Sequence, residues 1–146
     1  MFSKACSYGI RAMIYISAKT NQGIRLGIKD IAKEIESPEA FTGKILQTLS
    51  KKGLVDSVKG PKGGFSMTTE QQQVSLFDIV SNIDGDELMT GCGLGFKKCS
   101  EAHPCPMHHQ YKEVRAQFNT MLRETQLKTL SDDFEQGLSF FHPEEG

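Results

Sequence analysis

The sequence predicts a mainly α-helical chain that carries one small β-hairpin and ends in a long helix. Three observations predict it. Apolar residues recur at spacings of three and four in several stretches of residues 1–83, and again in one long stretch after residue 107. Two strand-like runs, Leu54-Val-Asp-Ser-Val58 and Gly64-Phe-Ser-Met-Thr68, flank the turn Lys59-Gly60-Pro61-Lys62-Gly63. Gly91 to His109, a Gly- and Pro-rich stretch that leads into the long helix, holds three of the four cysteines and three of the four histidines, a composition that resists regular structure.

Each element has its own local signal. Ser3 is placed to cap a first helix that runs to Lys19, with Cys6, Ile10, Met13, Ile14 and Ser17 on one face. After the turn Thr20-Asn-Gln-Gly23, Ile28, Ile31, Ala32 and Ile35 form the stripe of a short amphipathic helix. The next helix starts with Ser37 as N-cap, Pro38 at the first helical position and Glu39 in the first turn. It runs to about Lys52, where Gly53 ends it. Phe41, Ile45, Leu46 and Leu49 point inward, leaving Thr42, Lys44, Gln47, Thr48 and Lys51 outward. Two short helices joined by a Ser-Pro turn and followed by a basic hairpin make a winged helix-turn-helix. Ser75 to Ile83 reads as a helix with Leu76, Ile79, Val80 and Ile83 facing in. Residues 84–107 form the cysteine loop, and a long helix follows with Tyr111, Val114, Phe118, Met121, Leu122 and Thr125 on its stripe. Thr129-Leu-Ser-Asp132 offers a capped start for a last short helix, and His142 to Gly146 is expected as a loose tail.

At 146 residues the chain suits one compact unit with an added oligomerisation element. The expected organisation is a winged helix-turn-helix over 1–83, a ligand-holding loop over 84–107, and a dimerisation helix with its tail over 108–146. A long amphipathic helix must bury its stripe; the same helix of a second chain does so economically, and packing on its own head is the alternative. Hydrophobic residues at 38% and charged residues at 24% describe an ordinary protein with a core. The longest apolar-leaning run, Ala12 to Ala18, is too short to span a bilayer, and the N-terminus lacks a secretory pattern, so a cytoplasmic location without membrane contact is expected.

The net charge of −1 conceals a division. Residues 1–69 carry eleven Lys/Arg against five Asp/Glu, and residues 70–146 carry six against thirteen. A basic head suits an anionic partner, although charge scatter on a solvated surface is the plainer explanation. In a winged helix the second helix enters the major groove while the hairpin lays its lysines on phosphates. Glu39, Thr42, Gly43, Lys44 and Gln47, with Lys59, Pro61 and Lys62 of the hairpin, are therefore the candidate contacts to double-stranded DNA. Winged helices also serve as protein-binding modules; the charge division and the polar helix face favour DNA. Gly43, inside the recognition helix, either permits close approach to DNA or is a tolerated surface glycine.

The spacing Cys92-x6-Cys99-x5-Cys105-x2-His108 gathers soft ligands around one loop. In a reducing compartment such a set suits an iron–sulfur cluster, a structural zinc or metal-free redox thiols, and the lack of a short Cys-x2–4-Cys knuckle counts against zinc. His103 and His109 read as polar loop residues, and Cys6 as a small core hydrophobe. No nucleophile–base pair, phosphate loop or paired acids are present to suggest an enzyme.

The run Leu49-Ser-Lys-Lys-Gly-Leu-Val55, the wing Val58-Lys-Gly-Pro-Lys-Gly-Gly-Phe65 and the cysteine pattern together resemble the winged-helix regulators that include IscR and NsrR, over about residues 1–130. The resemblance implies a homodimeric transcription regulator, mainly of the repressor kind, that reads a palindromic operator. It implies a cluster, 2Fe–2S ahead of 4Fe–4S, on Cys92, Cys99 and Cys105, with His108 as fourth ligand. The first cysteine spacing is one residue longer than in IscR, and the fourth ligand varies within the family. A cluster-free thiol-responsive regulator of the same fold and a small iron–sulfur electron carrier are the alternatives; the carrier has no use for a basic wing.

Overall fold

A computed structural model describes residues 2–97 and 100–142. It is mainly helical, with a two-stranded antiparallel hairpin. The first helix, α1 (Lys4–Asn21), starts where Ser3 accepts a hydrogen bond from the Cys6 N–H. This cap satisfies one of the donors a helix start leaves open. Helix α1 is the central post: α2 (Ile28–Ile35), α3 (Glu39–Lys51), α5 (Leu76–Asp84) and α8 (Leu127–Glu135) all pack on it. Cys6, Met13 and Ile16 of α1 meet Ile31 and Ile35, Leu46 and Leu49, and Ile79 and Val80 in one core. Burial of each such aliphatic side chain contributes about 1.5–3 kcal/mol, which offsets the cost of ordering these short helices.

The hairpin pairs β1 (Asp56–Val58) with β2 (Gly64–Ser66), Ser57 opposite Phe65. Leu54 and Val55, expected as strand, are buried ahead of it in the core. A third segment joins: Leu26 and Phe65 exchange backbone hydrogen bonds of 3.1 and 2.8 Å. Gly64 has a φ of +134° and lies against the Leu26 backbone, where a Cβ would approach the carbonyl oxygen to 2.7 Å. The short helix α4 (Thr69–Gln72) follows, closed by a capping box between Thr68 and Gln71. Gln71 also donates to the Gly53 carbonyl and to Asp56, tying α4 to the base of the wing.

Ser75 and Asp78 form a second capping box at the start of α5. Beyond it the chain makes α6 (Glu87–Thr90), then the cysteine loop, then α7 (His108–Glu124). A backbone bridge couples the two halves, since Leu76 N–H bonds to Thr125 O and Leu127 N–H to Val74 O, both at 2.9 Å. It sets α8 against α1, where the buried Ser17 and Ser131 hydroxyls meet at 2.9 Å. Among the described residues no helix is long and apolar enough to cross a membrane.

Four expectations need correction. Helix α3 starts at Glu39, so Pro38 is its cap residue, and the Ser37 hydroxyl meets Thr42 instead of a backbone N–H. Residues 84–107 are not all loop, because Glu87–Thr90 is a helical turn that buries Met89. Thr129 caps nothing: α8 begins at Leu127, positioned by its bond to Val74. His142 is engaged with α2 rather than loose, whereas residues 143–146 of the expected tail lie outside the described residues.

Candidate nucleic-acid interface and cysteine loop

Helix α3 shows one face to solvent. Glu39, Lys44, Gln47, Thr48 and Lys51 are exposed and Gly43 is half-buried, while Ile45, Leu46 and Leu49 turn into the core. Thr42 departs from the outward set. It is 1% exposed, and its hydroxyl donates to the Pro38 carbonyl at 2.8 Å while accepting from Ser37. A side chain so enclosed cannot reach a base edge, so Thr42 locks the entry to α3. At Gly43 a Cβ would make only ordinary contact with Ile28 Cδ1, at 3.6 Å, so packing alone does not demand glycine.

Lys59, Gly60, Pro61 and Lys62 at the wing tip are all exposed. The tip closes with a 2.9 Å bond from Gly63 N–H to Gly60 O. Gly60 supplies the turn's left-handed backbone, at a φ of +102°. The tip projects two ammonium groups and no carboxylate.

The cysteine loop starts from α6. Gly91 N–H bonds back to Glu87 O at 2.7 Å, which leaves Cys92 at the foot of the loop. Its sulfur lies 3.6 Å from that of Cys105, and among the described residues neither is joined in a disulfide. The backbone N–H groups of Leu94 and then Phe96 hydrogen-bond to the Cys92 sulfur and hold its thiol below the usual range. Cys6, by contrast, is fully buried on the core face of α1, and burial, with Asp84 adding to it, pushes its thiol up to about 12. It is an inert core residue. Cys99 lies outside the described residues.

Two residues anchor the loop: Arg115, which the sequence reading did not name, and Tyr111, which it placed only on the stripe of the long helix. Arg115 of α7 donates to the Gly91 carbonyl at 2.7 Å, and the Tyr111 ring packs so closely on Gly93 that a Cβ there would come within 2.7 Å of it. No sequence signal marks this anchoring role, since the partners Gly91 and Gly93 lie about twenty residues away across a loop. Beside Cys92 a cavity of about 560 Å³ opens between Ser3, Asp84, Leu88, Phe96 and Tyr111. The loop thus faces the start of α1, where the Ser3 hydroxyl donates to Asp84 at 2.7 Å.

His108 opens α7 and is 4% exposed, its N–H bonded to Cys105 O at 3.0 Å. Its Nε2 lies 3.4 Å from a Glu101 oxygen, and Lys112 pairs with the same carboxylate. Lys112 first, then His108, hold the Glu101 carboxyl below its usual range. Ligand atoms of Glu101, His108 and His109 lie within 4.8 Å of one another. The described residues thus bring Cys92 and Cys105 together, with His108 one helical step beyond Cys105.

Residues 2–133 match the Rrf2 family, described as an iron-dependent transcriptional regulator. A "Putative HTH-type transcriptional regulator" of Aquifex aeolicus is 33% identical over 132 residues, covering 89% of this chain and 90% of that protein. Among solved structures, that of CymR, the global cysteine regulator of B. subtilis, has a TM-score of 0.71 at 22% identity, covering 90% of this chain and 96% of that one. T. potens IscR also has a TM-score of 0.71 at 22% identity, with coverages of 95% and 91%. These two share the fold of this chain. With nearly its whole length matched, the chain belongs to the Rrf2 family of transcription regulators, whose function is to bind DNA.

Proposed function

We propose that this regulator is a homodimeric repressor acting in the cytoplasm, and that an iron–sulfur cluster on Cys92, Cys99 and Cys105 controls its binding to a palindromic operator. The carrying observation is the meeting of the Cys92 and Cys105 sulfurs, 3.6 Å apart, with Cys92 held toward the thiolate by backbone donors. Thiolates are what such a cluster requires of a protein, so this donor set fits it. His108 is the proposed fourth ligand, favouring a 2Fe–2S cluster; it follows Cys105 on the same turn and is screened from solvent. When bound, the cluster supplies a redox- and nitric-oxide-sensitive centre. The chain's own part is transmission: Arg115 ties the loop to α7, and the loop faces the start of α1.

In this reading residues 1–83 form the DNA-binding head, 84–107 the sensing loop and 108–146 the dimerisation element. Glu39, Gly43, Lys44 and Gln47 face the major groove, while Lys59, Pro61 and Lys62 meet the flanking backbone. Helix α7 supports the dimer, since its apolar Val114 and Met121 remain 57% and 44% exposed. A symmetric partner would cover them and set two heads at the spacing of two half-sites.

Anaerobic purification tests the reading. The wild-type chain should be coloured, with iron and sulfide in equal amounts, and Cys92→Ala or Cys105→Ala should abolish the colour while Cys6→Ala keeps it. A colourless wild-type chain, or colour in all the loop variants, removes the cluster. The same sulfur pair favours one second reading, a metal-free thiol switch. Hydrogen peroxide would join the two sulfurs as a disulfide and release two waters; oxidised metal-free protein should then lose DNA binding and regain it with dithiothreitol.

A further inference from the structure

The end of the described chain does work that neither the DNA face nor the cysteine loop accounts for. Helix α8 stops in a Schellman motif: Gly137, at a φ of +75°, donates to Phe134 O at 3.2 Å, and Leu138 donates to Asp133 O at 2.8 Å. The chain then folds back. Phe141 stacks on Phe134 with ring centroids 4.3 Å apart and meets the Tyr15 ring edge-on at 6.4 Å. This brings His142 to the end of α2, where Nε2 lies 3.0 Å from the Glu34 carbonyl and Nδ1 lies 3.2 Å from a Glu36 carboxylate oxygen.

The place it reaches is the turn of the helix-turn-helix. Glu36, with φ 55° and ψ 50°, is the only non-glycine residue at positive φ among the described residues. A glutamate there is disfavoured and persists only if its surroundings impose it. Two distant side chains close on the turn: Arg11 donates to Ile35 O at 2.9 Å, and His142 engages the residues on either side. Helix α3 starts three residues after Glu36, so the backbone angles of this turn set how it leaves α2.

We propose that residues 137–142 form a strap that fixes the helix-turn-helix turn, and that His142 is a positioning residue for DNA binding, though it touches no DNA. The aromatic stack of Phe134, Phe141 and Tyr15 anchors the strap, and His142 applies it to Glu34 and Glu36. The inference rests on the reading that α3 faces DNA.

The test uses the full chain, with His142→Ala and the double variant Glu36→Gly/His142→Ala, against a duplex selected by the wild type from a random-sequence pool. His142→Ala should speed amide exchange at Glu36 and Ser37 and weaken duplex binding roughly threefold to tenfold, the size one hydrogen bond carries. Its salt slope should stay unchanged, because no phosphate contact is lost. The double variant should recover most of the affinity, since glycine adopts the turn geometry unaided. Unchanged exchange and affinity, a salt slope lowered by about one unit, or no recovery in the double variant would each overturn the proposal. A wild type that selects no duplex overturns the DNA reading and the positioning role with it. The exchange result then separately reports whether the strap holds the turn.

Discussion

Replacing Thr42 with Val separates a structural from a reading role at the start of α3. Valine has nearly the shape of threonine, so the buried site keeps its volume and no cavity opens. What disappears is the hydroxyl, which donates to Pro38 O at 2.8 Å and accepts from the Ser37 hydroxyl. The Pro38 carbonyl keeps a second partner, the Thr42 N–H at 2.9 Å, and Ser37 is only half-buried and can turn to water. Neither group is left stranded, which places the cost at the low end for two hydrogen bonds, about 1–2 kcal/mol. For a domain of this size that lowers the melting temperature by roughly 3–7 °C. Urea and thermal unfolding measure the loss, and selection from a random duplex pool measures base preference. A base-reading contact would carry about 1–3 kcal/mol of discrimination at one position, and Thr42→Val should remove none. An unchanged melting temperature together with a relaxed preference at one base pair would refute the argument and return Thr42 to the groove.

At the wing, Lys59→Ala with Lys62→Ala should weaken binding to every duplex alike and reduce the salt slope by about two units, one per phosphate released. A fluorescence titration across salt concentrations reads this, and an unchanged slope takes the wing tip off the backbone. On α7, Met121→Asp places a charge at an exposed position, where it costs a monomer little but a dimer seam an unpaired buried carboxylate. Sedimentation should find folded monomers, and an intact dimer would put the interface elsewhere.

Much of the fold was legible because its signals are local. Ser3 caps the helix it precedes, since the capping bond spans only three residues. The stripe Ile28, Ile31, Ala32, Ile35 and the Gly-Pro wing turn depend on spacing and backbone freedom alone. Where a side chain's role depends on a distant partner, the local signal failed. Helical periodicity left Thr42 outward, yet Ser37 and the Pro38 carbonyl hold it in. The α7 stripe looked uniform, but the head takes Leu122 and, through Phe2, part of Phe118, leaving Val114 and Met121 exposed. Leu26 has no strand pattern around it, and a single isolated bridge to Phe65 is what joins it to the hairpin.

The sequence by itself determined the helix-turn-helix with its basic wing, the division of charge, and the gathering of thiols into one loop. These follow from periodicity, turn chemistry and composition, which act over a few residues. Tertiary structure alone decided that Cys92 and Cys105 meet, that Arg115 ties their loop to α7, and that the chain's end closes on the turn before α3. Those contacts join residues from 13 to 108 positions apart. The packing of α5 and α8 on α1, and of α7 on α5 and α6, not any local preference, brings such distant groups within bonding distance.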